Sequence, residues 1–167
     1  MMDTETGKRN KGTVCAYAVR DYMRREIHTI GPGATLKEAV ALMVDRKTNS
    51  LIVVDNKMRL VGMVSSWDVI AKFVPKYLKE DHNLASFETG DVFCQRLEVL
   101  NAVLVEDAMV TTVTPIREDD VLISAAALLA QHRLRQVPVI NQHGDLSGYV
   151  NRTDIKLAMA DALGIET

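Results

Sequence analysis

The chain has 167 residues, of which 47% are hydrophobic and 25% are charged, and its formal net charge is −2. These values are ordinary for a globular protein with a real core, and the small net charge argues against nucleic acid or an anionic membrane surface as an obligatory partner. The two cysteines, Cys15 and Cys94, show no CxxC or Cys/His ligand spacing, which argues against a structural zinc site and a disulfide framework and favours a reducing cytoplasm.

The first half of the chain alternates between strand and helix signals. Residues 1–13 are polar, lack the apolar segment of a signal peptide and predict a flexible tail, and no apolar run reaches membrane-spanning length. The predicted elements that follow are a turn at "VRDYM", a short extended piece at "IHTI", a helix over 35–46, strands at "SLIVVD" and "LVGMV", and a second helix that begins near Ser65. The 35–46 helix is apolar around most of its circumference, which fits either a fully buried helix or a second packing surface against another copy or subunit.

Residues 72–104 have no counterpart elsewhere in the chain and predict an insertion with a helix around 91–100. Its apolar residues, among them Phe73 and Phe93, favour packing on the domain over a free linker. The predicted division of the chain is a flexible tail over 1–13, a first motif over 14–80, a helical linker or insertion over 81–103 and a second motif over 104–165.

The second half of the chain repeats the first. With a shift of 86 residues, 19–69 aligns without a gap onto 105–155 and thirteen of the 51 positions are identical, where composition alone gives about three or four. The second copy predicts a helix over 121–133, strands at "QVPVIN" and "LSGYV" with Gly144 in the turn between them, and a second helix from Asn151. The long period indicates a two-copy duplication and not a solenoid.

The features that recur are "VRDYM" and "VEDAM" at the start of each copy, and "GMVSSWD" and "GYVNRTD" at the end, with "VPVI" at 137–140 between them in the second copy. This arrangement resembles the cystathionine β-synthase (CBS) domain pair, or Bateman module, over residues 19–163. The resemblance implies an α+β (mixed α/β) fold of tandem β-β-α-β-β-α motifs, packed about a pseudo-twofold axis with two clefts between them. It also implies that AMP, ADP, ATP or S-adenosylmethionine binds there as a regulatory ligand, that no cofactor is required, and that two modules pair as a homodimer.

The two end motifs allow two compatible interpretations. Ser65 with Asp68, and Asn151 with Asp154, match a capping box in which both residues satisfy free backbone N–H groups of a helix. A helix N-terminus also favours phosphate, and an aspartate can accept ribose hydroxyls. The resemblance implies that the hydroxyl residue contacts phosphate and the aspartate contacts ribose, and Asn151 departs from that pattern.

Phosphate binding also needs cations, which the two copies supply unequally. Arg133, Arg135 and Arg152 lie in the second copy, while the first has Lys47 and Asn49 at the positions of Arg133 and Arg135. Solvent exposure at a helix end is the favoured alternative for Arg133, and for Arg135 both interpretations stay open.

The resemblance places an adenine base between the short strand and the "VPVI" strand. The candidates there are Thr29, Ile30, Ile52, Pro115, Ile116, Val137 and Pro138. Plain core packing is the alternative, and for the aliphatic residues it is the favoured one. Trp67 could stack on a base, but packing against the domain is the favoured interpretation, and His28 is interpreted as a surface or structural residue.

No GxSxG, P-loop, GxGxxG or HExxH motif is present, and neither catalytic nor metal-ligating residues are predicted. The leading hypothesis is a regulatory module that binds an adenine nucleotide between its repeats and acts on a partner protein. The alternatives are a protein-interaction scaffold with empty clefts and a small enzyme that acts on a nucleotide.

Overall fold

The computed structural model of the chain describes residues 17–132 and 134–166, so the predicted tail, Cys15 and Arg133 lie outside the described residues. The first half contains α1 (Val19–Tyr22), β1 (Thr29–Ile30), α2 (Leu36–Asp45), β2 (Ser50–Val54), β3 (Leu60–Ser65) and α3 (Ser66–Phe73). An insertion follows with α4 (Lys76–Glu80), a 3₁₀-helix (His82–Phe87) and α5 (Asp91–Ala102). The second half contains a 3₁₀-helix (Val105–Asp107), β4 (Ile116–Arg117), α6 (Leu122–Gln131), β5 (Gln136–Ile140), β6 (Leu146–Asn151) and α7 (Arg152–Leu163).

Each repeat builds its own three-stranded mixed sheet. The strand orders are β1-β2-β3 and β4-β5-β6, with a parallel first pair and an antiparallel hairpin as the second. All five residues of β2 are buried, as a continuous aliphatic run predicts for a central strand. Residues 86 apart take the same register, down to an irregularity after Val53 in one hairpin and after Val139 in the other.

The predicted α+β fold with duplicated motifs is confirmed, and the first element of each motif differs in detail. A helical turn stands where the six-element pattern has its first strand, and the flanking residues form single bridges, Ala18 with Val121 and Thr35 with Leu104. The predicted helix over 35–46 is observed as α2, whose N-cap Thr35 forms a capping box with Glu38.

The segments that begin the repeats, residues 17–25 and 103–111, cross over between them, and we call them the lead segments. Val19 is fully buried in the core of the second repeat, and Val105 is fully buried in the core of the first. The same symmetry governs the backbone, because Val19 N donates to Asp120 O at 2.9 Å and Val105 N donates to Ala34 O at 2.7 Å. Each repeat therefore contributes one buried valine from its lead segment to the core of the other repeat.

Two glycines make room for the crossing. A Cβ atom on Gly62 would lie 2.8 Å from Met109 Sδ and 2.9 Å from Val110 O, and one on Gly148 would come still closer to Met23 Cε and the carbonyl oxygen of Arg24. Real Cβ atoms essentially never approach other atoms so closely. The glycine of each end motif is thus needed where a lead segment presses against the third strand of the other repeat.

The insertion packs on the first repeat through α5, which contacts α2 and α3. Arg96 fixes it by donating from Nε to Phe73 O at 2.8 Å and from a terminal nitrogen to Lys72 O at 3.0 Å, and the rings of Phe73 and Phe93 meet edge to face at 4.8 Å. The predicted helix around 91–100 is confirmed as α5. Within the residues that the structure describes, no helix has both the length and the apolarity needed to cross a membrane.

Candidate functional site

Both end motifs form the helix caps predicted from the sequence. Ser65 donates from its backbone N at 2.7 Å and from Oγ at 2.6 Å to Asp68 Oδ2, at the start of α3. Asn151 N donates to Asp154 Oδ2 at 2.8 Å, and Asn151 Oδ1 accepts from the backbone N of Thr153 and Asp154 at 2.7 and 3.1 Å. Each aspartate thereby closes the first turn of its helix.

The environment of the two aspartates differs sharply. Asp68 is half-buried and accepts hydrogen bonds from the backbone N and the Oγ of Ser65. The side chain of Asp154 is only 3% exposed, and its Oδ1 accepts from Arg24 Nε at 2.8 Å. Arg24 belongs to the crossed lead segment, so a residue from the start of the chain pairs with one near its end.

A cavity of about 770 Å³ lies between the two repeats beside this ion pair. We call it the basic cleft, and its lining residues are Arg24, Arg25, Glu26, His28, Asp45, Arg46, Lys47, Thr48, Asn49, Ser50, Arg135, Gln136, Tyr149, Asn151, Arg152 and Thr153. Five places in the fold supply them: the segment from α1 to β1, the turn from α2 to β2, the turn from α6 to β5, the strand β6, and the start of α7. The N-terminus of α7 adds its positive dipole end to this wall.

The cleft carries an excess of positive charge. Six arginine or lysine side chains line it against two carboxylates, Glu26 and Asp45. Three of the cations are paired, because Arg24 contacts Asp154 at 2.8 Å, Arg46 contacts Asp45 at 3.0 Å and Arg25 contacts Glu118 at 3.4 Å. Among the described residues, the buried Nε of Arg135 has no hydrogen-bond partner. A buried guanidinium donor without an acceptor fits a site for an anion.

Local interactions set the protonation of two groups at the back of the cleft. The hydrogen bond to Asp154 raises the pKa of Arg24 above its ordinary value, so this guanidinium stays charged. Burial raises the pKa of Tyr149, which keeps its phenol neutral and able to donate a hydrogen bond at physiological pH.

The predicted site residues separate into three groups. Arg135, Asn151 and Arg152 line the basic cleft, and Asp154 lies behind it. Ser65 and Asp68 do not line it. The candidates for the base are part of the two sheets and their cores: Thr29, Ile30 and Ile52 in the first repeat, and Ile116, Val137 and Pro138 in the second, with Pro115 half-buried beside β4.

The expectation that Trp67 packs against the domain is wrong, because its side chain is 66% exposed. Trp67 occupies the second position of α3, and the buried residue of that helix is Val69. The residue 86 positions further on, Thr153, lines the basic cleft. Trp67 thus stands at the corresponding place in the first repeat.

Sequence reasoning missed the contribution of the lead segment to the cleft. Arg24, Arg25 and His28 line it, although all three precede β1. Of these, His28 was interpreted from the sequence as a surface or structural residue. A signal was present in the alignment of the two copies: "RREIH" at 24–28 stands opposite "VTTVT" at 110–114. The first copy is charged there and the second is not.

Each repeat has one apolar groove between its two helices. One, of about 520 Å³, runs between α2 and α3 and includes Val44 and Ile70; the other, of about 350 Å³, runs between α6 and α7 and includes Ile123 and Met159. Val44 and Ile123 are each 73% exposed. The broad apolar face predicted for the 35–46 helix is therefore partly uncovered in the single chain. No group of three or more His, Cys, Asp or Glu residues suited to a metal ion occurs in the part of the chain that the structure describes.

Comparison with known proteins identifies the repeats. The family model of the CBS domain matches residues 19–74 and 105–161. The CBS domain-containing protein CBSX2 of Arabidopsis thaliana, described as chloroplastic, is 28% identical over 147 residues, which are 83% of this chain and 62% of that protein. This chain therefore spans less than two thirds of its relative.

Solved structures agree with this match. The crystal structure of CBSX2 superposes with a TM-score of 0.73 at 25% identity, covering 89% of this chain and 98% of the other, and CBSX2 in complex with AMP gives 0.65 at 26% identity, covering 87% and 98%. The CBS domain pair of protein MJ0100, in complex with 5-methylthioadenosine and S-adenosyl-L-methionine, shares the fold with a TM-score of 0.65 at 20% identity, covering 88% and 98%. A stretch of homoserine O-acetyltransferase from Methanohalophilus mahii is 26% identical over 82% of this chain but only 23% of that enzyme. The chain belongs to the CBS domain family and contains two CBS domains in tandem.

Proposed function

We propose that the chain is a regulatory module that binds an adenine nucleotide in the basic cleft and does not itself perform catalysis. The observation that carries the proposal is the buried Arg135 Nε, which has no partner in the part of the chain that the structure describes and lies in a cavity with five further arginine and lysine side chains. Such a wall suits a phosphate group, which accepts several charge-assisted hydrogen bonds at once. The relative CBSX2 has been solved with AMP, which supports the same ligand class here.

In this proposal different residues of the cleft contact the phosphate, the ribose and the base of the ligand. Arg135 and Arg152 bind the phosphate together with the N-terminus of α7, and Asp154 accepts the ribose hydroxyls. Tyr149 is the aromatic residue of the lining and offers a face for the base. Binding alters the contacts between the two repeats, and an effect on a partner protein requires that the two conformations differ in ligand affinity.

Isothermal titration calorimetry with AMP, ADP, ATP and S-adenosylmethionine tests the proposal. Arg135→Gln is expected to weaken nucleotide binding about tenfold, because one charge-assisted hydrogen bond contributes roughly 1.5 kcal/mol. Arg59→Gln, in the exposed β2–β3 turn, is the matched control and is expected to leave affinity unchanged. The absence of binding by the wild-type protein would favour the alternative function of an interaction scaffold with empty clefts.

We further propose that the module is a homodimer through the apolar grooves of α2–α3 and α6–α7. The support is that large apolar side chains such as Val44 and Ile123 are exposed on the helices of both repeats. Ile123→Glu is expected to yield monomers in sedimentation velocity experiments, whereas Met58→Glu, at an exposed hairpin residue, should not. A monomeric wild-type protein at micromolar concentration would overturn this assembly.

A reducing cytoplasm remains the proposed compartment, consistent with the exposed free thiol of Cys94.

A further inference from the structure

The ion pair between Arg24 and Asp154 occupies the carboxylate that the proposed ligand needs. Oδ1 of Asp154 accepts from Arg24 Nε at 2.8 Å, and Oδ2 accepts from Asn151 N at 2.8 Å. The side chain of Asp154 is only 3% exposed and does not itself line the basic cleft, whereas its partner Arg24 does, so a ribose that binds Asp154 is expected to displace the guanidinium.

The side chain of Arg24 can leave this position while its backbone stays in place. Arg24 N donates to Tyr149 O at 2.8 Å, and Tyr149 N donates to Arg24 O at 3.0 Å, so the main chain is pinned to β6. The side chain is 46% exposed and lines the basic cleft, so the guanidinium has both solvent and cavity within reach.

The other repeat lacks this arrangement. The position 86 residues after Arg24 is Val110, which makes the equivalent backbone pair with Met63. Val110 has no charge to offer Asp68, whose hydrogen bonds come from Ser65. The crossing is symmetric in the backbone, and the ion pair is specific to the basic cleft.

We propose that Arg24 makes the basic cleft selective for phosphorylated nucleotides over uncharged adenosyl ligands, by exchanging its bond to Asp154 for one to the ligand phosphate. This inference rests on the proposed function. When the ribose binds Asp154, the guanidinium is released into a cavity that is also lined by Arg135 and Arg152. A phosphate gives Arg24 a new anionic partner there, so the exchange is nearly balanced. Adenosine and 5-methylthioadenosine are uncharged, so these ligands leave Arg24 without an anionic partner among like charges.

Calorimetric titrations with AMP and adenosine, on wild type and Arg24→Gln, test the exchange. The wild-type protein is expected to bind AMP at least about thirtyfold more tightly than adenosine. In Arg24→Gln, AMP is expected to bind about tenfold more weakly and adenosine a few times more tightly, so the preference for AMP collapses. Arg24→Lys, which keeps the charge, is expected to retain most of the preference and guards against a variant that merely folds poorly.

Arg59→Gln is the matched control, because Arg59 is paired with Asp55 in the β2–β3 turn and does not line the basic cleft. It is expected to leave the affinities for AMP and adenosine, and the ratio between them, unchanged. Equal weakening of AMP and adenosine in Arg24→Gln, or no change in either, would overturn the exchange while the proposed function stands. Failure of the wild type to bind AMP would instead overturn the proposed function, and the exchange with it.

Discussion

The two end motifs show the same helix cap in two different settings. In both, the aspartate three residues after the N-cap accepts the N-cap backbone N–H. In the first repeat Asp68 is half-buried beside the small Ser65, whereas Asp154 is almost completely buried against Arg24. The duplication has therefore kept the device that starts the helix and has changed what surrounds it.

The origin of the difference is the crossing of the lead segments. Because each lead segment lies on the third strand of the other repeat, the chemistry beside an end motif is decided by residues from the opposite half of the chain. Arg24 reaches the motif of the second repeat, and Val110 reaches that of the first. The two end motifs thus have different surroundings although the strands of the two repeats pair in the same order and register.

Substitution of the crossing glycines should give the largest effects. Gly148→Ala forces a Cβ onto the carbonyl oxygen of Arg24 and is expected to lower the free energy of unfolding by about 3 kcal/mol. Gly62→Ala meets Met109 Sδ, the flexible end of a side chain, as well as a backbone oxygen, and about 2 kcal/mol is expected. Urea denaturation measures both values.

Gly33→Ala is the control for these variants, since a Cβ there meets nothing within 4 Å. Its free energy of unfolding should differ from that of wild type by less than about 0.5 kcal/mol. If Gly33→Ala and Gly148→Ala lowered the free energy of unfolding equally, the close approach of the lead segment would not be the reason that position 148 requires glycine.

The two cap aspartates should differ in both stability and ligand binding. Asp154→Asn loses the ion pair with Arg24 and is expected to lower the free energy of unfolding by about 2 kcal/mol, against about 1 kcal/mol for the cap alone in Asp68→Asn. In Asp154→Asn the half-exposed guanidinium of Arg24 can be hydrated by water. The expected loss of stability is therefore smaller than the loss on breaking a fully buried ion pair. Urea denaturation and calorimetry with AMP are the measurements.

The binding data discriminate between cap and ligand site. Asp154→Asn should weaken AMP and Asp68→Asn should leave the basic cleft unaffected. If both variants lose stability and neither changes AMP affinity, Asp154 is a cap and an ion-pair partner only.

The elements that the sequence predicted well are those with local causes. The helices from Ser65 and Asn151 begin where a capping box predicts, and the aliphatic runs become β2 and β5. The partner of Asp154 was not predictable in this way, because Arg24 lies 130 residues away and the two meet only through the crossing. No local sequence pattern predicts a contact between residues so far apart in the chain.

Turn chemistry illustrates the same limit on a smaller scale. Gly144 marks the second hairpin turn and has a φ of 87°. Its counterpart Met58 has a φ of 59°, a left-handed conformation that its side chain does not favour. The left-handed conformation of Met58 was predictable only by alignment with Gly144, because methionine itself gives no signal for it.

The hairpin turns also supply the smallest predicted effect, a pH dependence found in one repeat and absent from the other. Asp55 Oδ1 accepts from the backbone N of Lys57 and Arg59, and Asn141 Oδ1 repeats this pattern with His143 and Asp145 in the second hairpin. The hydrogen bond from the Arg59 guanidinium, with the backbone N–H groups, lowers the pKa of Asp55 from 3.8 to about 2.

Because the pKa of Asp55 is lower in the folded protein, its contribution to stability is present above pH 3.8 and is lost as the pH falls towards about 2. The difference in free energy of unfolding between wild type and Asp55→Asn should therefore be constant near neutral pH and shrink between about pH 4 and pH 2. Asn141→Ala removes the corresponding acceptor without removing a titrating group, so its difference from wild type should stay level over this window. Urea denaturation at a series of pH values gives both curves, and a level curve for Asp55→Asn would mean that the ion pair with Arg59 adds nothing to the turn. Since Asn141 does not titrate, any slope that only the first hairpin shows belongs to the Asp55 carboxylate and its hydrogen bonds to the Arg59 guanidinium and the backbone N–H groups.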